Sequence, residues 1–221
     1  MRKLTPFILG RALPLGVFGF LTIIQGELAV AAIPQALRGE LDRTALMYLL
    51  NRILTLAFFA FLLGIYAVRS KAIARDHNPV AVIVAMVGSF VLYGLFLVPN
   101  QPRSTNVWVL GFSDILLASG TIWALYSLTY LRNRFSIVPE ARGLVTAGPY
   151  EVVRHPIYLG EITAGLGLVL PTLLTWHALV FAIFIAAQLA RTYFEERVLR
   201  TSYPQYEAYA MRTRRLIPFV L

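Results

Sequence analysis

The sequence predicts an all-α, polytopic helical membrane protein with about six transmembrane helices, and three observations predict it. Of 221 residues, 58% are hydrophobic and 31 are charged, 20 Lys+Arg and 11 Asp+Glu. Ordinary soluble domains are about 45–50% apolar and about 25% charged. The apolar residues gather in windows of roughly 20, the helical length that crosses a hydrocarbon core of about 30 Å. The basic residues sit between those windows and are denser in alternate connections, the bias that orients membrane helices. The same composition excludes intrinsic disorder. The +9 net charge, scattered between apolar runs, excludes a basic nucleic-acid-binding face.

The first span is 12–34. Its basic start and Ala29-Val30-Ala31 resemble a signal peptide with a small-residue cleavage site, but the apolar stretch exceeds the roughly 7–15 residues of a signal core, so it is read as a retained helix. Spans two to four cover 45–68, 80–98 and 109–131. From Pro156 to Leu199 one helix would run to about 66 Å at ~1.5 Å per residue, twice the membrane. Pro171, beside Thr172 and Thr175, is the expected break, because proline lacks a backbone donor and disfavours helix in the residue before it. The fifth span is then 157–170 and the sixth 174–199, or five units in all if the 157–199 hairpin counts as one.

With the N terminus inside, fifteen Lys and Arg fall on the inner side and three, Arg38, Arg43 and Arg103, outside. Both termini are therefore expected in the cytoplasm. Within the spans, Glu27 and Arg52 lie at similar depth on neighbouring helices and are read as a structural ion pair. Asp114 is read as facing headgroups and Arg11 as snorkelling to the inner surface. The absence of cysteine removes disulfides and thiolate chemistry, and His77, His155 and His177 are too scattered to suggest a metal. Arginine outnumbers lysine eighteen to two, which points to a bacterial source and so to the inner membrane.

The chain divides by motif into a four-helix region, 1–131, and a C-terminal region, 132–221, that opens with the one long polar connection, 132–155. Such loops are often functional. Pro156 suits the first helical position, which makes His155 the cap and leaves first-turn N–H groups to attract a carboxylate or phosphate. Tyr158 lies in that turn, and Gly143 and Gly148 permit close backbone approach before it. In the sixth span Arg191 and Glu195 share a helix face at i and i+4, with Glu196 beside them. The fold-back at Pro171 returns this second polar cluster to the side of His155 and Tyr158. The tail, with Tyr203, Tyr206 and Tyr209 before Arg212, Arg214 and Arg215, reads as a basic, aromatic stretch on anionic lipid whose tyrosines could also cover a pocket.

At these residues the sequence resembles the isoprenylcysteine carboxyl methyltransferase family and its phospholipid methyltransferase relatives. The resemblance covers about the last 80 residues. It rests on Gly148-Pro149-Tyr150 leading into Arg154-His155-Pro156-x-Tyr158-x-Gly160, on Glu195-Glu196, and on a Tyr-x-x-Tyr tail ending in Leu216-Ile217-Pro218. It implies an S-adenosylmethionine pocket facing the cytosol, contacted by Gly143, Leu144, Val145, Tyr150, His155, Pro156, Ile157, Tyr158 and Glu195. Arg191 would face the methyl acceptor, and Glu196 or His155 would take a proton if that acceptor is an amine. Arg142 departs from the family pattern, where histidine is frequent. The implied acceptor is amphiphilic, a lipid-like or isoprenoid-bearing carboxylate or amine drawn from the membrane, and no metal or nucleic acid is involved. Two rivals remain at this point. One is a sterol-reductase-like oxidoreductase using NADPH, which shares a similar C-terminal pattern. The other is a non-enzymatic membrane scaffold whose clusters are interfacial anchors.

Overall fold

The computed structural model describes residues 12–39, 43–68, 70–76, 78–97, 102, 104–173 and 175–217. The chain forms two compact units, Met1–Arg69 and Ser70–Leu221. The division at 131/132 read from the sequence separates motifs. Packing divides the chain elsewhere, because the helix before residue 131 packs along one that follows it.

The first unit pairs α1, Leu13–Leu37, with α2, Arg43–Val68. Gly19 lies beside Leu63 and Gly26 beside Leu56, so the two helices run antiparallel. Phe18 stacks on Phe59 with centroids 6.2 Å apart and meets Tyr66 edge-on at 5.4 Å. Glu27 is exposed on α1, whereas the Arg52 side chain and Arg11 lie outside the described residues.

The second unit contains α3, Pro79–Phe90; α4, Val107–Leu131; α5, Pro149–Val152; α6, Pro156–Val169; α7, Trp176–Ser202; and α8, Tyr206–Arg212. Asparagine caps two of them: Asn78 Oδ1 accepts from the Val80 N–H, and Asn106 Oδ1 from the Trp108 N–H, each at 2.9 Å. The hairpin expected at Pro171 forms. α6 ends in a 3₁₀ turn, Leu170–Thr172, and Thr175 caps α7 by accepting from the His177 N–H at 3.2 Å. Asp114 is half-buried on α4.

Three described segments are long and apolar enough to span a membrane, Pro14–Ala31, Val107–Arg134 and Trp176–Ser202, with shorter apolar helices at Ile53–Val68 and Pro79–Phe90. The expected third span, 80–98, is not one continuous α-helix: after Phe90 it tightens into the 3₁₀ helix Val91–Leu97. The greater rise of a 3₁₀ turn lets twelve α and seven 3₁₀ residues reach about 32 Å, near bilayer thickness.

The closest helix contact joins α4 to α6 through small residues. A Cβ on Gly160 would lie 2.7 Å from the Gly120 carbonyl oxygen, and one on Gly120 would lie 2.4 Å from the Ala164 nitrogen. Close backbone approach of this kind is how membrane helices associate, since lipid supplies little hydrophobic drive between them. Ser113 Oγ adds a bond to the Gly167 carbonyl at 2.5 Å. Toward the hairpin, Leu95, Val169, Phe181 and Phe184 form an apolar core. The opposite end of α4, α6 and α7 carries the polar clusters. There a two-residue ribbon, which was not expected, pairs β1, Ala74–Arg75, antiparallel to β2, Glu140–Ala141.

Candidate functional site

One cleft opens at that end, with about 770 Å³ of empty space counting the open solvent at its mouth. Loop 134–145, α5, the first turn of α6, the C-terminal half of α7 and α8 line it. Gly148 starts α5 with φ +63, a left-handed conformation, and a Cβ there would strike the Tyr130 ring at 2.4 Å. Glycine is therefore the residue that lets the chain turn under Tyr130 and bring Tyr150 into the cleft.

At the start of α6, Pro156 supplies no N–H, and the Ile157 and Tyr158 N–H groups precede the first bond of the helical ladder, Leu159 N–H to His155 O at 3.1 Å. Glu195 faces this turn from α7. Its Oε1 accepts the Tyr158 hydroxyl, and its Oε2 lies 3.7 Å from His155 Nδ1. The His155 ring stacks on Tyr158 with centroids 5.6 Å apart, and the Arg191 guanidinium covers the Tyr158 ring at 4.5 Å.

Glu196 behaves differently from its neighbour. It is 2% exposed and lies outside the cleft lining. Its Oε1 accepts from Arg154 Nε at 2.9 Å and Arg215 Nε at 3.2 Å and lies 3.3 Å from His155 Nε2; its Oε2 accepts from Arg215 Nη2 at 3.2 Å. Arg154 Nη1 also donates to the Ala210 carbonyl at 2.9 Å and to that of Thr213.

This knot folds the tail over the cleft. Arg154 N–H bonds Arg214 O at 2.8 Å, His155 N–H bonds Arg215 O at 3.0 Å, and the Tyr209 hydroxyl bonds Tyr150 O at 2.7 Å. Burial pushes the Tyr206 phenol upward and the Tyr209 phenol to about 12, and burial with the Glu195 charge holds Tyr150 well above the usual range. All three phenols therefore stay protonated at neutral pH and can donate.

Loop 134–145 is anchored by Glu140. Its carboxylate accepts from Arg75 Nε at 2.5 Å, Ser136 Oγ at 2.7 Å and Arg142 Nη2 at 2.6 Å. Burial alone would raise this carboxyl, but those hydrogen bonds and the charges of Arg142 and Arg75 outweigh it and hold it below the usual range. Such a group contributes stability that is full above its unfolded pKa, about 4.3, and is lost as pH falls through the folded value. Glu140→Gln should therefore melt below wild type near neutral pH, by about 1–3 kcal/mol, with the gap closing in acid. A gap that stays constant into acid would show that ionised Glu140 does not anchor the loop.

Residues 107–206 match the family described as phospholipid methyltransferase. Over 143 residues, 60% of this chain, the sequence is 32% identical to the cobalt-zinc-cadmium resistance protein CzcN of Cupriavidus metallidurans. Over 132 residues, 55% of the chain, it is 31% identical to the nickel-cobalt-cadmium resistance protein NccN of Alcaligenes xylosoxydans xylosoxydans. The matches span 61% and 57% of those relatives, less than two thirds of either. A solved structure of the eukaryotic intramembrane Ras methyltransferase ICMT (isoprenylcysteine carboxyl methyltransferase) shares the fold, with TM-score 0.57 and 18% identity over 99% of this chain and 86% of that one. Over residues 107–206 the chain is similar to phospholipid methyltransferases, and it shares the fold of the solved ICMT structure. It is an integral membrane protein of helical fold.

The cleft gathers Gly143, Leu144, Val145, Tyr150, His155, Pro156, Ile157, Tyr158 and Glu195, every residue that the resemblance implies for the cofactor. Arg191 is buried behind Tyr158 rather than in the lining, where it donates to Gln188 Oε1 at 3.0 Å. Glu196, expected among the catalytic groups, lies outside the lining and holds Arg154 and Arg215, with His155 Nε2 3.3 Å away. Arg142 is buried against Glu140 and also lines the cleft.

Tyr206 and Tyr209 join the cleft, and their i, i+3 spacing was the signal for it. Arg134, Phe135, Ser136, Val138 and Glu140 also line it, without a sequence signal to mark them. The donor set fits S-adenosylmethionine. Glu195 offers a carboxylate to cationic groups, and the first turn of α6 offers N–H groups to an anionic one. The Tyr206 hydroxyl, on a residue of the lining, is buried and has no hydrogen-bond partner among the described residues, a cost that a polar partner would relieve.

Proposed function

We propose that the chain is an S-adenosylmethionine-dependent methyltransferase of a bacterial inner membrane. It methylates a lipid-like or isoprenoid-bearing carboxylate, or an amine, at the cytoplasmic face. The observation that supports this best is the convergence of Glu195, the α6 first turn and the unpartnered Tyr206 hydroxyl on one cleft beside buried Arg191. S-adenosylmethionine, when bound, supplies a methyl group on a cationic sulfonium.

The chain's own residues bind and align. Glu195 attracts cationic groups, while Tyr150, Tyr206 and Tyr209 wall the cleft and exclude water, which strengthens each charge contact inside. Arg191 would orient an acceptor carboxylate through a planar, two-pronged contact that lysine could not reproduce. An ionised carboxylate needs no base, so alignment is the main task. An amine acceptor would need one, and His155 is the candidate because Glu196 is committed to its arginines. Acceptors with lipid tails would reach the site from the bilayer.

Calorimetry on the full-length protein in detergent tests this reading. Saturable binding of S-adenosylmethionine and S-adenosylhomocysteine, with none of NADPH, is the expected result. A folded sample that binds neither, or that binds NADPH instead, would overturn the proposal and promote the scaffold or the oxidoreductase.

A further inference from the structure

A polar line leaves the cleft and enters the packing of α6 and α7. The Arg191 guanidinium lies over Tyr158 at 4.5 Å, Arg191 Nη1 donates to Gln188 Oε1 at 3.0 Å, and Gln188 Nε2 donates to Glu161 Oε2 at 2.5 Å. Gln188 has no exposed surface and Arg191 is 2% exposed. The amide between them is fixed from both ends. A guanidinium only donates and a carboxylate only accepts, so Gln188 must give its oxygen to one and its nitrogen to the other. Flipping it would lose both bonds inside a low-dielectric interior.

α3 is shaped to the same point. A Cβ on Gly88 would lie 2.7 Å from Arg191 Cδ and 3.1 Å from Gln188 Oε1. The stem of Arg191 is thus confined by one helix, its Nη1 by Gln188, its Nη2 by the Ile137 carbonyl at 3.4 Å and its plane by a ring. Bidentate recognition of a carboxylate depends on such orientation of the guanidinium.

We propose that Glu161, acting through Gln188, is the positioning residue that sets the plane of Arg191 for the acid head of the methyl acceptor. This rests on the carboxylate branch of the function proposed above. Glu161 itself touches neither cofactor nor acceptor. Its carboxylate orients the amide, and the amide orients the guanidinium.

The test uses full-length protein in detergent and two probes, S-farnesylthiopropionate as a lipid-tailed carboxylate and S-farnesylcysteamine as the matching amine. Binding is measured in wild type, Glu161→Gln, Gly88→Ala and the exchange Glu161→Gln with Gln188→Glu. The two single variants should each weaken the carboxylate probe about tenfold and leave amine-probe and S-adenosylhomocysteine affinity within about twofold. The exchange again presents an acceptor to Arg191 and should recover carboxylate binding to within about threefold of wild type. Gly88→Ala removes no polar partner and favours helix, so it keeps the test open if Glu161→Gln fails to fold. Carboxylate affinity equal to wild type in the single variants, a parallel loss of S-adenosylhomocysteine, or wild type that ignores the carboxylate probe would each overturn the relay. Wild type that does not bind S-adenosylhomocysteine would instead overturn the reading on which the relay rests.

Discussion

Glu195→Ala is expected to weaken S-adenosylhomocysteine binding by at least about 100-fold while the protein stays folded. The carboxylate is 23% exposed at its side chain, reachable by a ligand yet partly withdrawn from solvent screening. It holds the Tyr158 hydroxyl and stands 3.7 Å from His155 Nδ1, so removing it releases the two rings that frame the first turn of α6. Hydrogen bonds to charged groups contribute about 1.5–3 kcal/mol each. Losing one to the ligand's ammonium and one that orients Tyr158 reaches the 100-fold range, since each 1.4 kcal/mol is about tenfold. Glu195→Gln separates charge from shape. It still accepts from Tyr158 but offers no anion, and should lose about tenfold. Calorimetry of both variants against wild type checks this. Affinity retained in Glu195→Ala would remove the residue from the site, and equal loss in both variants would make charge alone its contribution.

The contrast between Glu195 and Glu196 marks how far the sequence could be read. Neighbouring positions on a helix point about 100° apart, so the pair announces that one glutamate faces the cleft and leaves open which one. Their partners decide it. Arg154 lies 42 residues before Glu196 and Arg215 lies 19 after it, and no local pattern encodes either meeting. The apolar helices and the Pro171 hairpin were legible because bilayer thickness and proline sterics act on local sequence. The turn from His155 to Tyr158 was legible for the same reason, through Pro156 and its cap. The 3₁₀ stretch Val91–Leu97 was not, because hydropathy records composition and is blind to hydrogen-bond register. The ribbon between β1 and β2 is two residues long, too short for alternation to show. Arg191 was singled out for sharing a helix face with Glu195, but its burial behind Tyr158 depends on Gly88 and Gln188, contacts that only tertiary packing creates.

Glu196→Gln should destabilise the second unit by about 3–5 kcal/mol, the cost of breaking a buried ion pair from one side, and should release the tail from the cleft. The magnitude follows from where the charges sit. The Glu196 side chain is 3% exposed and that of Arg154 is 11% exposed, so the pair is screened little by water. Arg154 would keep its bonds to the Ala210 and Thr213 carbonyls, but its charge would be left buried without an anion. Arg215, 41% exposed at its side chain, is a different case. Arg215→Met should cost no more than about 1 kcal/mol, because a half-exposed partner can return to water. A total stability of about 5–15 kcal/mol makes the first change severe and the second mild. The tail carries Tyr206 and Tyr209 into the cleft and carries Arg212, Arg214 and Arg215 as tryptic sites. Limited trypsin digestion therefore reads tail release directly, alongside thermal melting in detergent. Wild type should be cut slowly, more slowly still with S-adenosylhomocysteine, Arg215→Met nearly as slowly, and Glu196→Gln fast with a lowered melting temperature. Equal cutting and melting in wild type and Glu196→Gln would show that the Glu196 knot does not hold the tail. Glu196 would then have no positioning role, and its part in the chemistry would be open again.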